Sequence, residues 1–168
     1  MFVSETYALQ DCYVYNDCTT SSIESVFTVP SSVKNSTYDI SSSGWKFGNL
    51  NGWTDIPFSL TQPTISFELD FKIIENNANG ITLNIGKVGN NWRYFDTNGS
   101  NLRYGGSNIG TITSGAEIKI KVYSNKIEIY NENTLLHTDN SALTSINLGL
   151  GSGANRYVRI KDFKIRPL

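Results

Sequence analysis

The stretch ISFELDFKI, residues 65–73, is the clearest strand in the sequence. Charged residues occupy alternate positions, as Glu68, Asp70 and Lys72, and hydrophobic residues fill the positions between them: Phe67, Leu69, Phe71 and Ile73. Because side chains alternate between the two faces of a strand, this period of two predicts one face in the core and one outside it. The outer face, with its two carboxylates, is a candidate active site, binding surface or solvated structural face.

Outward from this stretch, the chain continues in short alternating segments, and no window has the periodicity of an amphipathic helix. Strands are predicted at residues 26–29, 45–48, 56–60, 64–74, 80–86, 92–95, 102–104, 117–123, 126–130, 134–138, 146–150 and 157–166. Turn-forming residues separate these segments, which is typical of two packed antiparallel sheets. The sequence therefore predicts an all-β sandwich with essentially no helix.

The segment EIKIKVYSNKIEIY, residues 117–130, predicts a hairpin with a two-residue turn at 124–125. This turn places Ile120 opposite Ile129 on the inner face and Lys121 opposite Glu128 on the outer face. An ion pair between the last two residues is expected to stabilise the sheet.

The final segment, YVRIKDFKIRPL, has two hydrophobic pairs that are out of phase with one another. Val158 and Ile160 form the first pair, and Phe163 and Ile165 form the second. An extra residue near 161–162 would bring both pairs to the same face, so a β-bulge is predicted there.

Composition and charge argue against several classes of protein. The chain has 168 residues, a formal net charge of −1 and scattered basic residues, which argues against a nucleic-acid partner. It contains no apolar run of membrane-spanning length, and MFVSETYALQ does not resemble a signal peptide. We expect one domain over residues 1–168, with an irregular segment at 1–24 packed on it. The richness in Asn, Ser and Thr favours an extracellular place on a virion or cell surface.

The order of several segments resembles the concanavalin A-like lectin/glucanase superfamily in its laminin-G-like form. The resemblance covers roughly residues 40–168 and is carried by ISFELDFKI together with the following segments: WKFG at 45–48, GITLNIG at 80–86, LRYGG at 102–106, NENTLLHT at 131–138 and IKDFKI at 160–165. It implies a jelly roll of two antiparallel sheets, a fold that hosts both hydrolases and non-catalytic sugar binders. Short domains of this type occur in phage tail proteins and microbial adhesin-like surface proteins.

The same resemblance bears on the two carboxylates of the opening stretch. Laminarinase-type members carry Glu-x-Asp-x-Glu on one strand, and here Lys72 stands at the third position. An adjacent ammonium group would lower the pKa of both Glu68 and Asp70 and weaken either one as a proton donor. Glu75 does not replace the missing carboxylate, because continued alternation places it on the opposite face. We therefore predict a solvated or groove-lining structural face, with Glu68 and Asp70 as secondary candidates for ligand contact.

The segment WRYFDTNGSNLRYGG, residues 92–106, carries aromatic residues on both faces of a predicted hairpin. With residues 96–101 as its loop, Phe95 faces Leu102. One face then carries Trp92, Tyr94 and Arg103, and the other carries the secondary candidates Arg93 and Tyr104 beside Phe95 and Leu102. Since a sandwich strand has only one core face, one aromatic set is expected at the surface. Aromatic rings there stack on sugar rings, or they pack under a loop or against another subunit.

Three further residues are candidates for ligand contact. Trp53 lies between Gly and Thr in a predicted loop, and Asp96 and Asn98 lie in the hairpin loop. Asp96, Asn98 and Ser100 also resemble a fragment of a calcium loop, but the distal bidentate Glu is absent, so no metal or other cofactor is predicted.

The remaining reactive side chains are few. Cys12 and Cys18, in DCYVYNDC, are predicted either to close a small disulfide loop or to remain free thiols. The single histidine, His137, has no nucleophile motif to work with and is expected on a strand surface. The glycines of GLGSG are interpreted as a turn between strands.

These observations predict a non-catalytic module that binds a cell-surface glycan or polysaccharide on a phage tail or cell surface. The alternative is a structural or oligomerisation domain whose exposed aromatic residues pack on sister subunits. A glycoside hydrolase that uses Glu68 and Asp70 is the third hypothesis.

Overall fold

The computed structural model describes residues 14–49, 52–63, 66–77, 80–152 and 156–168. The described residues form two antiparallel sheets and one four-residue helix, α1, at Ile23–Val26. The all-β sandwich predicted from the sequence is confirmed. None of the described helices is long and apolar enough to span a bilayer.

The first sheet has eight strands and is called the charged sheet after its outer face. Its strands are β1 (Val14–Asn16), β2 (Asp39–Ser41), β3 (Gly44–Asn49), β5 (Phe67–Asn77), β10 (Glu117–Val122), β11 (Ile127–Asn131), β12 (Thr134–Asp139) and β14 (Arg156–Pro167). They are ordered β12-β11-β10-β5-β14-β3-β2, and β1 pairs with the far part of β14. The stretch that opened the sequence analysis is thus a central strand.

The second sheet has six strands and is called the groove sheet. Its strands are β4 (Thr54–Pro57), β6 (Thr82–Val88), β7 (Asn91–Asn98), β8 (Asn101–Tyr104), β9 (Ser107–Thr111) and β13 (Ser145–Ser152). They are ordered β4-β13-β6-β7-β8-β9. The strands β4, β13 and β6 are therefore neighbours, although they come from distant parts of the sequence.

The core lies between the sheets and contains the hydrophobic residues that alternation predicted. Phe67, Leu69, Phe71 and Ile73 of β5 are all buried. Phe71 meets Phe95 of the groove sheet edge to face, with ring centroids 6.0 Å apart. Burial of such side chains is the main stabilising term for the sandwich.

Two register predictions are confirmed. Ile120 lies opposite Ile129 in the 117–130 hairpin. The register of β14 against β5 shifts between Lys161 and Lys164, and Asp162 has a positive φ of 52°. The bulge brings the two hydrophobic pairs of β14 to the core.

Several local predictions were wrong. Residues 26–29 do not form a strand, because α1 ends at Val26, and Phe27 makes only an isolated bridge to Phe58. Part of the segment predicted as irregular is regular, since residues 14–16 form β1. A register shift in β5 brings Glu75 opposite Arg159 on the outer face, where alternation had placed it inside.

The predicted disulfide is untested. Cys18 is a buried free thiol among the described residues, and burial raises its pKa to about 12. Cys12 lies outside the described residues.

Candidate functional site

The outer face of the charged sheet holds Glu68 and Asp70, which the structure buries. The exposed fraction of Glu68 is 4% and that of Asp70 is 0%. The prediction of a solvated face was therefore wrong for this pair. Cationic residues of the two neighbouring strands cover the carboxylates: Lys119 and Lys121 on β10, and Lys164 and Arg166 on β14.

Glu68 has its charge neutralised by these neighbours. Arg166 donates to its Oε1 through both Nη2 and Nε, the latter at 2.8 Å, and Lys121 Nζ lies 3.5 Å from Oε2. Lys121 is opposite Glu128 as predicted, but the expected ion pair between them is replaced. Lys121 pairs with Glu68, and Glu128 pairs with Lys126 at 2.6 Å.

Asp70 is in a different electrostatic situation. Its Oδ2 lies 3.4 Å from Arg166 Nη2 and 3.8 Å from Lys164 Nζ, and neither oxygen has a hydrogen-bond partner among the described residues. Burial, followed by the charge of Glu68, raises the pKa of Asp70 to about 6. Burial also acts to raise the pKa of Glu68, but hydrogen bonds and charge from Arg166 outweigh it and lower that pKa.

Burial separates this pair from solvent. In a retaining glycosidase, one carboxylate attacks the anomeric carbon and a second carboxyl group protonates the leaving oxygen, so both must be accessible to the sugar. Here the side chains of the same chain occupy the space around both groups. Lys72, at the third position of the pattern, bonds to Asp162 at 2.8 Å and so belongs to the bulge of β14.

The outer face of the groove sheet carries an open groove of about 630 Å³. Four predicted ligand-contact residues line it together: Trp53, Trp92, Tyr94 and Asp96. The remaining lining residues are Asp55, Ile56, Pro57, Thr82, Asn84, Asn147, Leu148, Gly149, Leu150 and Arg156. Residues 40 positions apart in the sequence thus meet on one surface.

Two glycines of β13 shape the groove: Gly149 lines it, and Gly151 lies beneath the Trp53 indole. Gly151 lies between Asp55 and Thr82, and Gly149 lies one row further along between Pro57 and Asn84. GLGSG was expected to form a turn, but residues 149–152 belong to β13. A glycine within a strand indicates close approach by another group, and here that group is an indole ring.

Trp53 is that ring. A β-carbon at Gly151 would lie 2.3 Å from Cζ2 and 2.7 Å from Cη2 of Trp53, so the indole rests directly on the glycine backbone. Its Nε1 donates to Asp55 Oδ1 at 2.8 Å. The side chain is nevertheless 54% exposed. Trp53 is therefore a fixed aromatic surface that is open to the groove.

Trp92 and Tyr94 occupy the opposite side of the groove on β7. Trp92 is 44% exposed, and Lys87 Nζ lies 4.5 Å from its ring centroid in a cation–π contact. Tyr94 is half-buried opposite Asn84. Amide groups of Asn84 and Asn147 lie among the rings, so the groove combines aromatic surfaces with hydrogen-bonding groups.

Asp96 and Arg103 form a bidentate ion pair beside the groove. Arg103 Nε donates to Oδ1 at 2.9 Å and Nη2 donates to Oδ2 at 2.5 Å. The bond to Asp96 raises the pKa of Arg103. Arg103 does not line the groove itself and orients Asp96. Asn98, exposed at the end of β7, also lies outside the lining.

The hairpin register differs from the prediction. Residues 96–98 extend β7, Phe95 faces Tyr104, and Leu102 faces Thr97. The shift is two residues, so each side chain stays on its predicted face. Because Asp96 is in a strand with both oxygens bonded to Arg103, it does not form the calcium loop that was considered. No group of three potential metal-ligating side chains occurs among the described residues.

The secondary candidates Arg93 and Tyr104 lie away from the groove. Both donate to Asp139 Oδ2, Arg93 Nε at 2.8 Å and the Tyr104 hydroxyl at 2.7 Å. The Tyr104 ring lies 4.8 Å from that of His137, which is half-buried where a surface position was expected. These contacts join β7 and β8 to β12, so the residues tie the two sheets together.

Sequence reasoning missed the polar part of the groove. Asn84, Asn147 and Arg156 carry no motif, and their proximity follows from the pairing of β13 with β6 and the position where β14 begins. The available signal was the pair of glycines at 149 and 151, whose spacing places both on one face of a strand.

Comparison with known proteins shows the fold. No protein-family model matches the sequence, and no curated protein is significantly similar to it. The Crh5 transglycosylase in complex with NAG is similar in structure, with a TM-score of 0.67, 10% identity, and coverage of 92% of this chain and 83% of that chain. A Bacillus subtilis protein of unknown function with a galectin-like fold gives a TM-score of 0.60 and 11% identity, covering 93% and 96% of the two chains.

The chain shares the galectin-like β-sandwich fold. This agrees with the jelly roll that the resemblance implied. A sialidase is also similar over 79% of this chain, with a TM-score of 0.57 and 9% identity, but the match spans only 16% of the sialidase. At such identities the likeness concerns the fold.

Proposed function

We propose that the chain is a non-catalytic carbohydrate-binding module and that the groove is its binding site. One observation carries the proposal: Trp53, Trp92 and Tyr94 line one groove, and the two indoles are 54% and 44% exposed. Large aromatic residues are normally buried, so two fixed and exposed indoles in one groove indicate a binding surface.

The chemistry of the groove suits a sugar. Aromatic faces stack on the C–H face of a sugar ring, while amides and charged groups bond its hydroxyls. Gly149 lets a flat ring approach the sheet closely. Structural neighbours lend further support, because one is named as a transglycosylase in complex with NAG and another, matched over 16% of its length, as a sialidase.

The carboxylates of the groove favour binding over catalysis. Asp55 and Asp96 lie in one row across four adjacent strands, so their Cα atoms are about 14 Å apart. Catalytic carboxyl groups lie roughly 5–9.5 Å apart, whereas side chains that project in parallel from one row of a sheet keep a separation close to that of their Cα atoms. Asp55 also accepts from Trp53, and Asp96 accepts from Arg103. The partner proposed for the module is a glycan or polysaccharide, and its proposed place is a virion or cell surface.

Binding of glycans by single-residue variants tests this proposal. Trp92→Ala and Tyr94→Ala should each weaken binding five- to thirtyfold, the equivalent of about 1–2 kcal/mol for one ring contact. Their melting temperatures should stay close to that of the parent protein. Tyr15→Ala is the matched control, because Tyr15 is a 50% exposed ring on β1 of the other sheet. It should not change binding.

Two results would contradict the proposal. Binding that survives both groove substitutions would exclude the groove as the site. A large fall in melting temperature, or conversion of an oligomer to a monomer on Trp92→Ala, would favour the alternative of a structural domain that packs on sister subunits. Light scattering on the same samples separates these outcomes.

A further inference from the structure

We infer that the ligand is a linear neutral polysaccharide, bound lengthwise so that internal sugar units contact both indoles. This inference rests on the proposed function and specifies its ligand. It starts from the placement of the two indoles at opposite corners of one groove.

Strand register gives the distance between these corners. Trp53 rests on Gly151 of β13, which pairs with Thr82 of β6, whereas Trp92 of β7 pairs with Lys87 of β6. The corners are therefore two strand spacings apart across the sheet and five residues apart along β6. With about 4.8 Å per strand and 3.3 Å per residue, the separation is on the order of 15–20 Å. A single sugar unit cannot contact both rings.

The groove between the indoles is continuous and suited to intermediate sugar units. Tyr94 and Asn84 pair across β7 and β6, and Gly149 lies beside Asn84 on β13. A polysaccharide that lies between the indoles thus contacts the Tyr94 ring, the Asn84 amide and the sheet at Gly149. The groove formed by the described residues is open to solvent, so recognition of a chain terminus is not required.

Both indoles are held in place before any ligand binds. Gly151 and Asp55 fix Trp53, and the cation–π contact with Lys87 restrains Trp92. Because neither indole has to be ordered on binding, each can add its contribution to the affinity for a long polysaccharide.

The charges of the groove favour a neutral chain. Asp55, Asp96 and Arg156 are its charged lining residues, and Arg103 pairs with Asp96. Recognition of repeated carboxylates or sulfates normally uses several arginines or lysines in excess of acidic groups. With Lys87 beside Trp92 and Arg103 beside Asp96 included, three cations face two carboxylates at this groove, an excess of one rather than several, and Asp55 would repel an anionic chain.

Calorimetric titration with oligosaccharides of increasing length tests the inference. The probes are cello-, laminari-, xylo- and N-acetylated chito-oligosaccharides from disaccharide to hexasaccharide, with polygalacturonate and alginate as acidic chains. For the neutral series that binds, the hexasaccharide should bind at least about tenfold more tightly than the disaccharide. Trp53→Ala and Trp92→Ala should each weaken hexasaccharide binding about five- to thirtyfold, and only one of them should affect the disaccharide. Tyr15→Ala again serves as the control.

The outcomes separate this inference from the proposed function. Equal affinity for disaccharide and hexasaccharide, or tighter binding of an acidic chain that Trp92→Ala weakens, would overturn the inference and leave the groove as a glycan site. If no probe binds, or if binding is indifferent to both tryptophan substitutions, the proposed function fails, and the inference fails with it.

Discussion

The outer faces of the two sheets differ in what their central strands display. On the charged sheet, β5 places Glu68 and Asp70 outward, and cations of the neighbouring strands cover them. On the groove sheet, β7 places Trp92 and Tyr94 outward, and β13 beside β6 contributes glycines in place of a covering layer. The inner face of β5 is hydrophobic, and β7 contributes Phe95 to the core.

The difference shows that residue type alone does not identify a site. Paired carboxylates are typical of sugar hydrolysis, yet on the charged sheet both carboxylates are buried and cations of the same chain neutralise Glu68. Exposed indoles are costly to hydrate, yet on the groove sheet the described chain leaves them uncovered. The candidate site is identified by exposed side chains that the rest of the chain does not cover, and not by residue types that are typical of catalysis.

The largest expected effect tests whether β5 has the faces described. Phe71→Ala should lower the free energy of unfolding by about 3–5 kcal/mol, because it removes a fully buried ring that packs on Phe95. Lys72→Ala removes a partly exposed ion pair with Asp162 and should cost less than about 1 kcal/mol. Chemical denaturation measures both values. Equal losses would show that β5 is buried on both faces or that its register is reversed.

The next effect concerns the pH dependence of stability on the charged sheet. Asp70 has a folded pKa of about 6, above its ordinary value of 3.8, so folding favours its protonated form. Its contribution to stability is fully present below pH 3.8 and is lost as the pH rises through 6. The shift corresponds to a loss on the order of 3 kcal/mol. Glu68 has a lowered pKa and acts in the opposite direction, but only below about its ordinary pKa of 4.5.

Asp70→Asn should therefore gain stability relative to the parent protein as the pH rises from 4 to 8. The amide resembles the protonated acid and cannot ionise. Urea denaturation of both proteins at several pH values measures the difference. A difference that stays constant over this range would show that Arg166 and Lys164 already compensate the charge of Asp70.

The last prediction is that the protein does not hydrolyse glycans. We expect no release of reducing ends from β-glucans, and Glu68→Gln should leave that result unchanged, because Glu68 is buried and bonded to Arg166. Groove variants should change affinity only. Turnover by the parent protein that disappears in Glu68→Gln would mean that the charged sheet opens to substrate, and the contrast between the two faces would be lost.

Much of the fold is predictable from local pattern. The faces of β5, the hairpin at 117–130 and the bulge at 161–162 each depend on alternation or a turn within a few residues. The hairpin register at Phe95 was not predictable, because a shift of two residues keeps every side chain on the same face. The sequence therefore predicts which rings face outward without fixing their partners across the strands.

The site was predictable only in part, for a different reason. Trp92, Tyr94 and Asp96 lie on one strand, so their common face follows from alternation. Trp53 joins them because β13 inserts between β4 and β6, a long-range pairing that no local pattern specifies. The burial of Asp70 likewise depends on β10 and β14, which flank β5 from distant parts of the chain.

The indole N–H resonances of the three tryptophans provide the most direct test of the central claim. Trp53 and Trp92 line the groove, while Trp45 is buried in the core and serves as an internal control. Titration of ¹⁵N-labelled protein with the tightest-binding neutral hexasaccharide should shift the Trp53 and Trp92 signals, together with backbone amides of β7 and β13, and leave Trp45 unchanged. Shifts confined to β5, β10 and β14, with both groove indoles unaffected, would contradict the account.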